Sequence, residues 1–195
     1  MNEAFLKEAV TLFDTDDKWN SFLELIKNKD GIKTIFFKKL QIELNKRFGQ
    51  NDFVDNWGFV SVNEKHFRWF LKDFGDESIS LLFHFGYIFS IRSNPNFTDS
   101  SKIKEFLHTQ RYSPLFNFLD RQDSGTNDWE IIRESGCFYF DSIFDGNFNE
   151  DQIAWFAGNK TEEFVNQIAE KVNRIRKNPE MTELLRELNE MCKKK

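Results

Sequence analysis

The fold class is decided by the stretch Ile79-Ser80-Leu81-Leu82-Phe83-His84-Phe85-Gly86-Tyr87-Ile88-Phe89-Ser90-Ile91. Aromatic and β-branched residues dominate on both sides of its central glycine, which is typical of two strands joined by a tight connection. Two earlier segments of the same character, Trp57 to Val62 and Phe67 to Leu71, extend the pattern. We therefore predict an antiparallel β-meander over residues 56–92, with further strands of the sheet within residues 129–141.

The segments before and after these strands have helical periodicity. Apolar residues recur at helical spacing over residues 1–50, in a helical connection over residues 99–120, and again over residues 159–193. With only 9 Gly and 3 Pro, the chain has little material for a flexible linker. The sequence therefore predicts one α+β domain over residues 1–195, with N-terminal and C-terminal helices flanking the meander.

Short polar motifs predict where several helices begin and end. Asp14-Thr15-Asp16 and Asn178-Pro179 are typical helix starts, because their side chains can cap free backbone N–H groups. Gly49 stands where a left-handed C-terminal cap is expected after a third helix over residues 32–48, which follows a break at Asp30-Gly31. Apolar residues cover most of the circumference of that helix, which predicts burial on more than one side.

Composition indicates a cytoplasmic protein with an aromatic core. The chain has 24 Phe, and each buried aromatic ring removes a large apolar area from water. No apolar run is long enough to span a membrane, and the N-terminus does not resemble a secretory signal. Cys137 and Cys192 are far apart and are expected to stay reduced.

A search for catalytic and metal-binding motifs finds none. The three histidines, at positions 66, 84 and 108, lack the spacing of metal ligands. His84 is expected to be a core or hairpin residue bonded to a backbone carbonyl. No phosphate-binding glycine loop and no nucleophile elbow occur. Asp73-Phe74-Gly75-Asp76-Glu77 predicts a solvated turn. We therefore expect no enzymatic activity, no catalytic residue, no metal and no cofactor.

The charges are unevenly distributed, although the formal net charge is only -5. Residues 27–47 contain seven basic and two acidic side chains, whereas residues 120–151 contain nine acidic and two basic ones. We call these segments the basic block and the acidic block. Such asymmetry indicates surfaces that attract partners of opposite charge.

Aromatic residues are interspersed among the carboxylates of the acidic block, a composition that suits docking on a basic protein groove. The alternative is a set of polar loops over a Phe-rich core. The candidate partner-binding residues are Asp128, Trp129, Glu130, Asp141, Phe144, Asp145, Phe148, Asp151 and Trp155.

The basic block resembles a nucleic-acid contact surface in composition, because lysines alternate there with phenylalanines. The alternative is a helix whose lysines keep its exposed strip in water, which is favoured because the bases do not share one face. The candidate nucleic-acid-binding residues are Lys33, Lys38, Lys39, Lys46 and Arg47.

Residues 36–91 resemble a segment that follows the catalytic core in some bacterial nucleases of the PD-(D/E)XK superfamily. The similarity covers the helix Phe37 to Leu44, then Trp57, the strand Ile79 to Phe85, and Gly86-Tyr87-Ile88. The catalytic motif of that family has no match in this chain. The resemblance implies an accessory, non-cutting module from phage, mobile elements or bacterial defence.

Three functions are therefore considered. The leading hypothesis is a non-enzymatic interaction protein that binds a basic, nucleic-acid-handling partner, for instance a phage inhibitor of a bacterial defence nuclease or of its RNA complex. The alternative is an accessory domain that binds RNA or DNA through residues 27–47. The third is a cryptic metal-dependent nuclease. The sequence predicts no membrane contact and does not indicate an oligomeric state.

Overall fold

The computed structural model describes residues 3–49, 56–84, 88–107, 109–116, 123–124, 129–135 and 149–194. No helix among these residues is long and apolar enough to cross a membrane. The helices are α1 (Glu3–Val10), α2 (Asp16–Lys27), α3 (Lys29–Phe48), α4 (Ser100–Leu107), α5 (Ser113–Phe116), α6 (Glu150–Asn159), α7 (Thr161–Arg176) and α8 (Pro179–Cys192), with short 3-10 turns at Thr11–Phe13 and Gln110–Tyr112. The strands are β1 (Trp57–Asn63), β2 (His66–Leu71), β3 (Ser80–His84), β4 (Ile88–Arg92), β5 (Asp123–Ser124) and β6 (Glu130–Ser135).

The strands form one antiparallel sheet in the order β1-β2-β3-β4-β6-β5. The first four strands are neighbours in both sequence and space, so the predicted meander is confirmed. Helices precede and follow the sheet, which confirms the α+β class and the N-terminal and C-terminal helical layers. The predicted strand Cys137 to Phe140 lies outside the described residues.

One face of the sheet forms the aromatic core. Phe67 pairs with Phe83 across β2 and β3, and both side chains are fully buried. Trp69 lies on the same face, and its ring centroid is 5.2 Å from that of Phe48 in α3. The ring centroids of Phe83 and of Phe164 in α7 are 5.8 Å apart. Because successive side chains of a strand point to opposite faces, every second residue of β2 and β3 enters this core.

The opposite face of the sheet carries polar side chains that are also largely buried. Arg68 pairs with Leu82, which pairs in turn with Ser90, so these residues share the second face. His84 and Arg92 belong to the same face by strand alternation, and only 8% and 5% of their surfaces are exposed. A buried face with two arginines requires counter-charges close to them.

The N-terminal segment, residues 3–27, contributes no buried side chain among those described, and we call it the N-terminal arm. Its helix α2 is joined to α3 through the single residue Asn28. The Asn28 N–H donates to the Glu24 carbonyl, and the Ile32 N–H donates to the Asn28 carbonyl, both at 3.0 Å. The helical hydrogen-bond pattern thus continues through the junction, and the arm extends the core helix α3 at its N-terminal end.

Several predicted helix ends are confirmed. The Thr15 side chain accepts a hydrogen bond from the Lys18 N–H, and Asn178 accepts one from the Met181 N–H with Pro179 in the first turn. The predicted break at Asp30-Gly31 is wrong, because both residues lie inside α3. Gly49 is right-handed, with φ of -87°, so the left-handed cap is also wrong.

The expectation that α3 is buried on more than one side is wrong as well. Its buried residues, Phe37, Leu40, Leu44 and Phe48, form one helical strip, whereas Ile35 and Ile42 are 59% and 54% exposed. The sequence did not predict α6, whose start is a capping box between Asn149 and Gln152. Small residues at the α6 contact, such as Gly158, weaken the periodic pattern that would have indicated a helix.

The contact between α3 and α6 is close enough to require glycine at position 158. A Cβ atom there would lie 2.2 Å from the ring of Phe36, whereas one on Gly31 meets nothing within 4 Å. We expect Gly158→Ala to lower the free energy of unfolding by about 1–3 kcal/mol through overpacking. Gly31→Ala, the matched control within α3, should raise it by roughly 0.5–1 kcal/mol. Urea unfolding measures both, and equal effects would contradict the packing described.

Candidate functional site

The basic block and the end of the acidic block pair with each other where α3 meets α6. Lys29 forms an ion pair with Asp151, and Lys33 lies 3.3 Å from both Glu150 and Asp151. Lys65, at the β1–β2 turn, also pairs with Glu150. We call these five residues the charge seam. Charges that the sequence appeared to offer to partners are thus used inside the fold.

The protonation equilibria of the charge seam follow from these contacts. Hydrogen bonds from Lys29 and then Lys33 lower the pKa of Asp151, and a hydrogen bond from Lys65 is the main cause of the lowered pKa of Glu150. A hydrogen bond to Asp30 is the main cause that raises the pKa of Lys33. Asp151, Glu150 and Lys33 therefore remain charged over the neutral pH range.

Three of the five candidate nucleic-acid-binding residues, Lys39, Lys46 and Arg47, line one open pocket, whereas Lys33 and Lys38 lie outside it. Lys33 belongs to the charge seam, Lys46 pairs with Glu43, and the Lys39 Nζ donates to the Gly158 carbonyl at 3.3 Å. Lys38 and Arg47 are exposed, and neither has an ion pair with another described residue. Nine positions separate them, which places them on opposite sides of α3 at about 100° per residue.

The acidic aromatic candidates are also divided. Trp129 and Trp155 are exposed at 44% and 46%, as a docking role requires. Glu130, however, is buried against His84, and Asp151 belongs to the charge seam. The remaining candidates, Asp128, Asp141, Phe144, Asp145 and Phe148, lie outside the described residues.

The predicted solvated turn, residues 73–77, supplies the counter-charge for the polar face of the sheet. Glu77 accepts hydrogen bonds from Arg68 at 2.8 Å, from Arg92 at 2.7 Å and from Asn94 at 2.6 Å. Gly75, with φ of +80°, provides the left-handed conformation that the turn needs. Burial alone would raise the pKa of Glu77, but these three donors lower it to about 2.

An open pocket of about 520 Å³, which we call the sheet-face pocket, lies on the same polar face. Its lining includes His66, His84, Arg92, Trp129 and Glu130, which come from four strands and from the residue before β6. His84 Nε2 contacts the Glu130 carboxylate, whereas the sequence led us to expect a backbone carbonyl as its partner. The His66 and His84 rings are neighbours on β2 and β3, with centroids 6.2 Å apart and ring planes inclined at 49°.

The two histidines of the sheet-face pocket have different surroundings. Burial, followed by the nearby charge of Arg68, lowers the pKa of His66 to about 4. Its Nε2 atom is buried and has no hydrogen-bond partner in the part of the chain that the structure describes. The guanidinium of Arg92 stacks 5.2 Å from the centre of the Trp129 ring. Among the described side chains, no group of three or more His, Cys, Asp or Glu is placed to hold a metal ion.

The N-terminal arm presents a second candidate surface, which consists of apolar side chains. Phe13 packs on Phe22 at 4.4 Å between ring centres, and Trp19 lies 5.5 Å from Phe22, so the turn and α2 hold each other in place. Seven large apolar residues of the arm are nevertheless 45–70% exposed: Leu6, Val10, Leu12, Trp19, Leu23, Leu25 and Ile26.

Sequence reasoning missed both of these surfaces as sites. His66 and Arg68 alternate on β2, and an adjacent strand ends in His84, so strand alternation could have placed them on one face. Glu130 was assigned to the acidic block from its neighbours in sequence. Its contact with His84 joins residues 46 positions apart, which local sequence patterns do not reveal. The helical periodicity of the arm predicts an apolar strip but does not reveal whether anything covers it.

Comparison with known proteins identifies no relative of this chain. No protein-family model, no curated protein and no solved structure matches it. The resemblance of residues 36–91 to a segment of PD-(D/E)XK nucleases therefore stays a prediction.

The Glu77 contacts predict how stability depends on pH. Because the folded pKa of Glu77 lies below its ordinary value of 4.5, its stabilising effect is complete above that value and lost as the pH falls towards 2. We expect Glu77→Gln to lower the free energy of unfolding at pH 7 by roughly 2 kcal/mol, a figure discounted because the side chain is 37% exposed. Denaturant unfolding at several pH values measures this.

The difference between wild type and Glu77→Gln should shrink below pH 4 and vanish near pH 2. Glu64→Gln is the matched control, since Glu64 has no ion pair with another described residue. A difference that stays constant from pH 7 to pH 2 would contradict the proposed role of the ionised carboxylate.

Proposed function

We propose that this chain is a binding protein that captures a basic partner protein through its N-terminal arm. The observation that carries the proposal is the exposure of seven large apolar side chains on the arm, at 45–70% each. Together they expose an apolar area on the order of 700 Å², spread over α1, the 3-10 turn and α2. A stable interface buries about 800 Å² on each partner, so the arm is large enough to anchor one.

The arrangement of these residues suits insertion into a groove. Trp19, Leu23 and Ile26 follow one another at spacings of four and three positions, which aligns them along one side of α2. An amphipathic helix that lays such a strip into an apolar groove is a recurrent mode of protein recognition. Tryptophan is also among the residues most enriched at interface hot spots, the positions that contribute most of the binding free energy.

The charges of the arm favour a basic partner. Residues 3–27 contain six acidic and three basic side chains, and Asp16 and Asp17 stand together in the first turn of α2. Carboxylates beside an apolar strip attract a groove with a basic rim and exclude an acidic one. Proteins that handle nucleic acid carry such basic surfaces, so an inhibitor of a bacterial defence nuclease would be one instance.

The alternative of direct nucleic-acid binding through α3 receives less support. Lys33 and Lys46 are engaged in ion pairs within the chain, and Lys38 and Arg47 point to opposite sides of the helix. A backbone-tracking surface needs several unpaired cations along one path. The third hypothesis, a metal-dependent nuclease, stays a prediction.

The proposal is tested by capturing a partner from nuclease-treated bacterial extract, identifying it, and measuring its binding as a purified protein. We expect Leu23→Ala combined with Ile26→Ala to weaken the affinity by roughly 30-fold or more, because each residue would lose its buried contact. Alanine has a high helix propensity, so these substitutions remove the apolar side chains and keep α2 helical. Asp16→Asn with Asp17→Asn should slow association at low salt and have little effect at high salt.

Ile42→Ala on α3 is the matched control, since Ile42 is 54% exposed but lies outside the arm. This variant should bind the purified partner with the same affinity as wild type. Unchanged affinity of the Leu23→Ala/Ile26→Ala variant for the purified partner would refute the proposal. So would light scattering that shows a homodimer which this variant dissociates, because the arm would then bind a second copy of the chain.

A further inference from the structure

The sheet-face pocket presents an exposed indole that the fold restrains. Trp129 is 44% exposed, and its backbone carbonyl accepts a hydrogen bond from the Ser93 N–H at 3.0 Å. The Arg92 guanidinium lies 5.2 Å from the centre of the indole ring. Arg92 is only 5% exposed and donates to Glu77 at 2.7 Å, so the group beside the indole is itself fixed. An exposed ring that is already restrained loses little side-chain entropy on binding, which favours its use as a binding platform.

The charges that line the pocket balance each other. Imidazoles aside, the lining contains two basic and two acidic side chains: Lys65, Arg92, Glu64 and Glu130. His66 adds no charge at pH 7, because burial is the main cause that lowers its pKa to about 4. A pocket without excess charge gives a phosphate group no electrostatic advantage. An uncharged polar ligand suits this lining better than an anion or a cation does.

The remaining lining favours a flat ligand with hydrogen-bonding groups on its edge. Aromatic rings and arginine guanidinium planes are the side-chain surfaces on which unpaired nucleobases stack. Within the part of the chain that the structure describes, Glu77 and the Asp76 carbonyl engage two of the five N–H groups of Arg92. A ring nitrogen or a carbonyl oxygen of a base can accept a hydrogen bond from the others. The pocket volume of about 520 Å³ falls within the range of small-molecule sites.

We propose that the sheet-face pocket binds the base of a nucleoside, a role beyond the capture of a partner protein by the N-terminal arm. The base stacks on Trp129, and its edge accepts hydrogen bonds from Arg92. Phosphate groups contribute little to the affinity, because the lining has no excess charge. The same base chemistry occurs in a free nucleoside and in an unpaired nucleotide of a single strand.

Isothermal titration calorimetry of the full chain with adenosine and with cytidine tests this site, because neither nucleoside carries a phosphate. We expect saturable binding of at least one of them, with a Kd below about 1 mM. The 5′-monophosphate of that nucleoside should bind with an affinity within about threefold of it, since the pocket has no excess charge. Glucose, which carries hydroxyl groups but no flat ring to stack, should not bind.

Variants of Trp129 and Trp155 locate the site. Trp129→Ala should weaken the affinity for the nucleoside by about 5- to 100-fold, and Trp129→Phe, which keeps a ring, should weaken it less. Trp155→Ala is the matched control, because Trp155 is 46% exposed but lies on α6, and it should bind as wild type does. The Leu23→Ala/Ile26→Ala variant of the arm should also bind nucleosides normally, so this site and the partner-binding arm are tested separately.

A single-stranded hexanucleotide distinguishes the two sources of the base. An affinity per nucleotide above that of the nucleoside would assign the pocket to a nucleic-acid strand. An affinity at or below that of the nucleoside would assign it to a free nucleoside. Both results keep the base as the ligand and support the proposal.

Three results would overturn the proposal. The first is the absence of nucleoside binding to the wild-type protein, and the second is an equal affinity of the Trp129→Ala variant and wild type. The third is binding of glucose as tight as that of the nucleoside, or of the monophosphate more than about threefold tighter, because the pocket would then recognise hydroxyl groups or an anion.

Discussion

The contact between α3 and α6 is the constraint on which the rest of the structure depends. Helix α3 packs Leu40 and its neighbours on the sheet, and α6 approaches it closely enough that Gly158 touches the ring of Phe36. At the N-terminal end of the same contact, Lys33 lies between Glu150 and Asp151. Packing and charge pairing therefore both hold α3 in its position against α6. The N-terminal arm is attached to the N-terminal end of α3.

This contact changes how the charge asymmetry of the chain should be understood. Opposite charges separated by more than a hundred residues in sequence meet in the fold and satisfy each other, so they are less available to partners. A partly buried ion pair is screened less by salt than an exposed one, which favours a structural role for Lys33 at 15% exposure. Our proposal therefore assigns recognition to the apolar N-terminal arm. In the sheet-face pocket, Glu77 holds Arg92 and Glu130 contacts His84.

Much of the fold could be predicted from the sequence, because the meander and the helix caps depend on local patterns. The strands around Ile79 to Ile91 and the caps at Thr15 and Asn178 followed from β-propensity and capping chemistry. The sites could not be predicted in the same way. The contact of His84 with Glu130 and the exposure of Trp19 arise from tertiary packing, which local periodicity does not encode.

The central claim is that Lys29 and Lys33 stabilise the fold by pairing with Glu150 and Asp151. A double-mutant cycle between Lys33 and Asp151 tests it most directly. Lys33→Met, Asp151→Asn and the double variant are compared with wild type by urea unfolding at low and high salt. The account predicts a coupling free energy of roughly 0.5–1 kcal/mol at low salt that falls as salt is added. Additive effects within about 0.3 kcal/mol at low salt would show that these charges do not stabilise the fold together and would contradict the account.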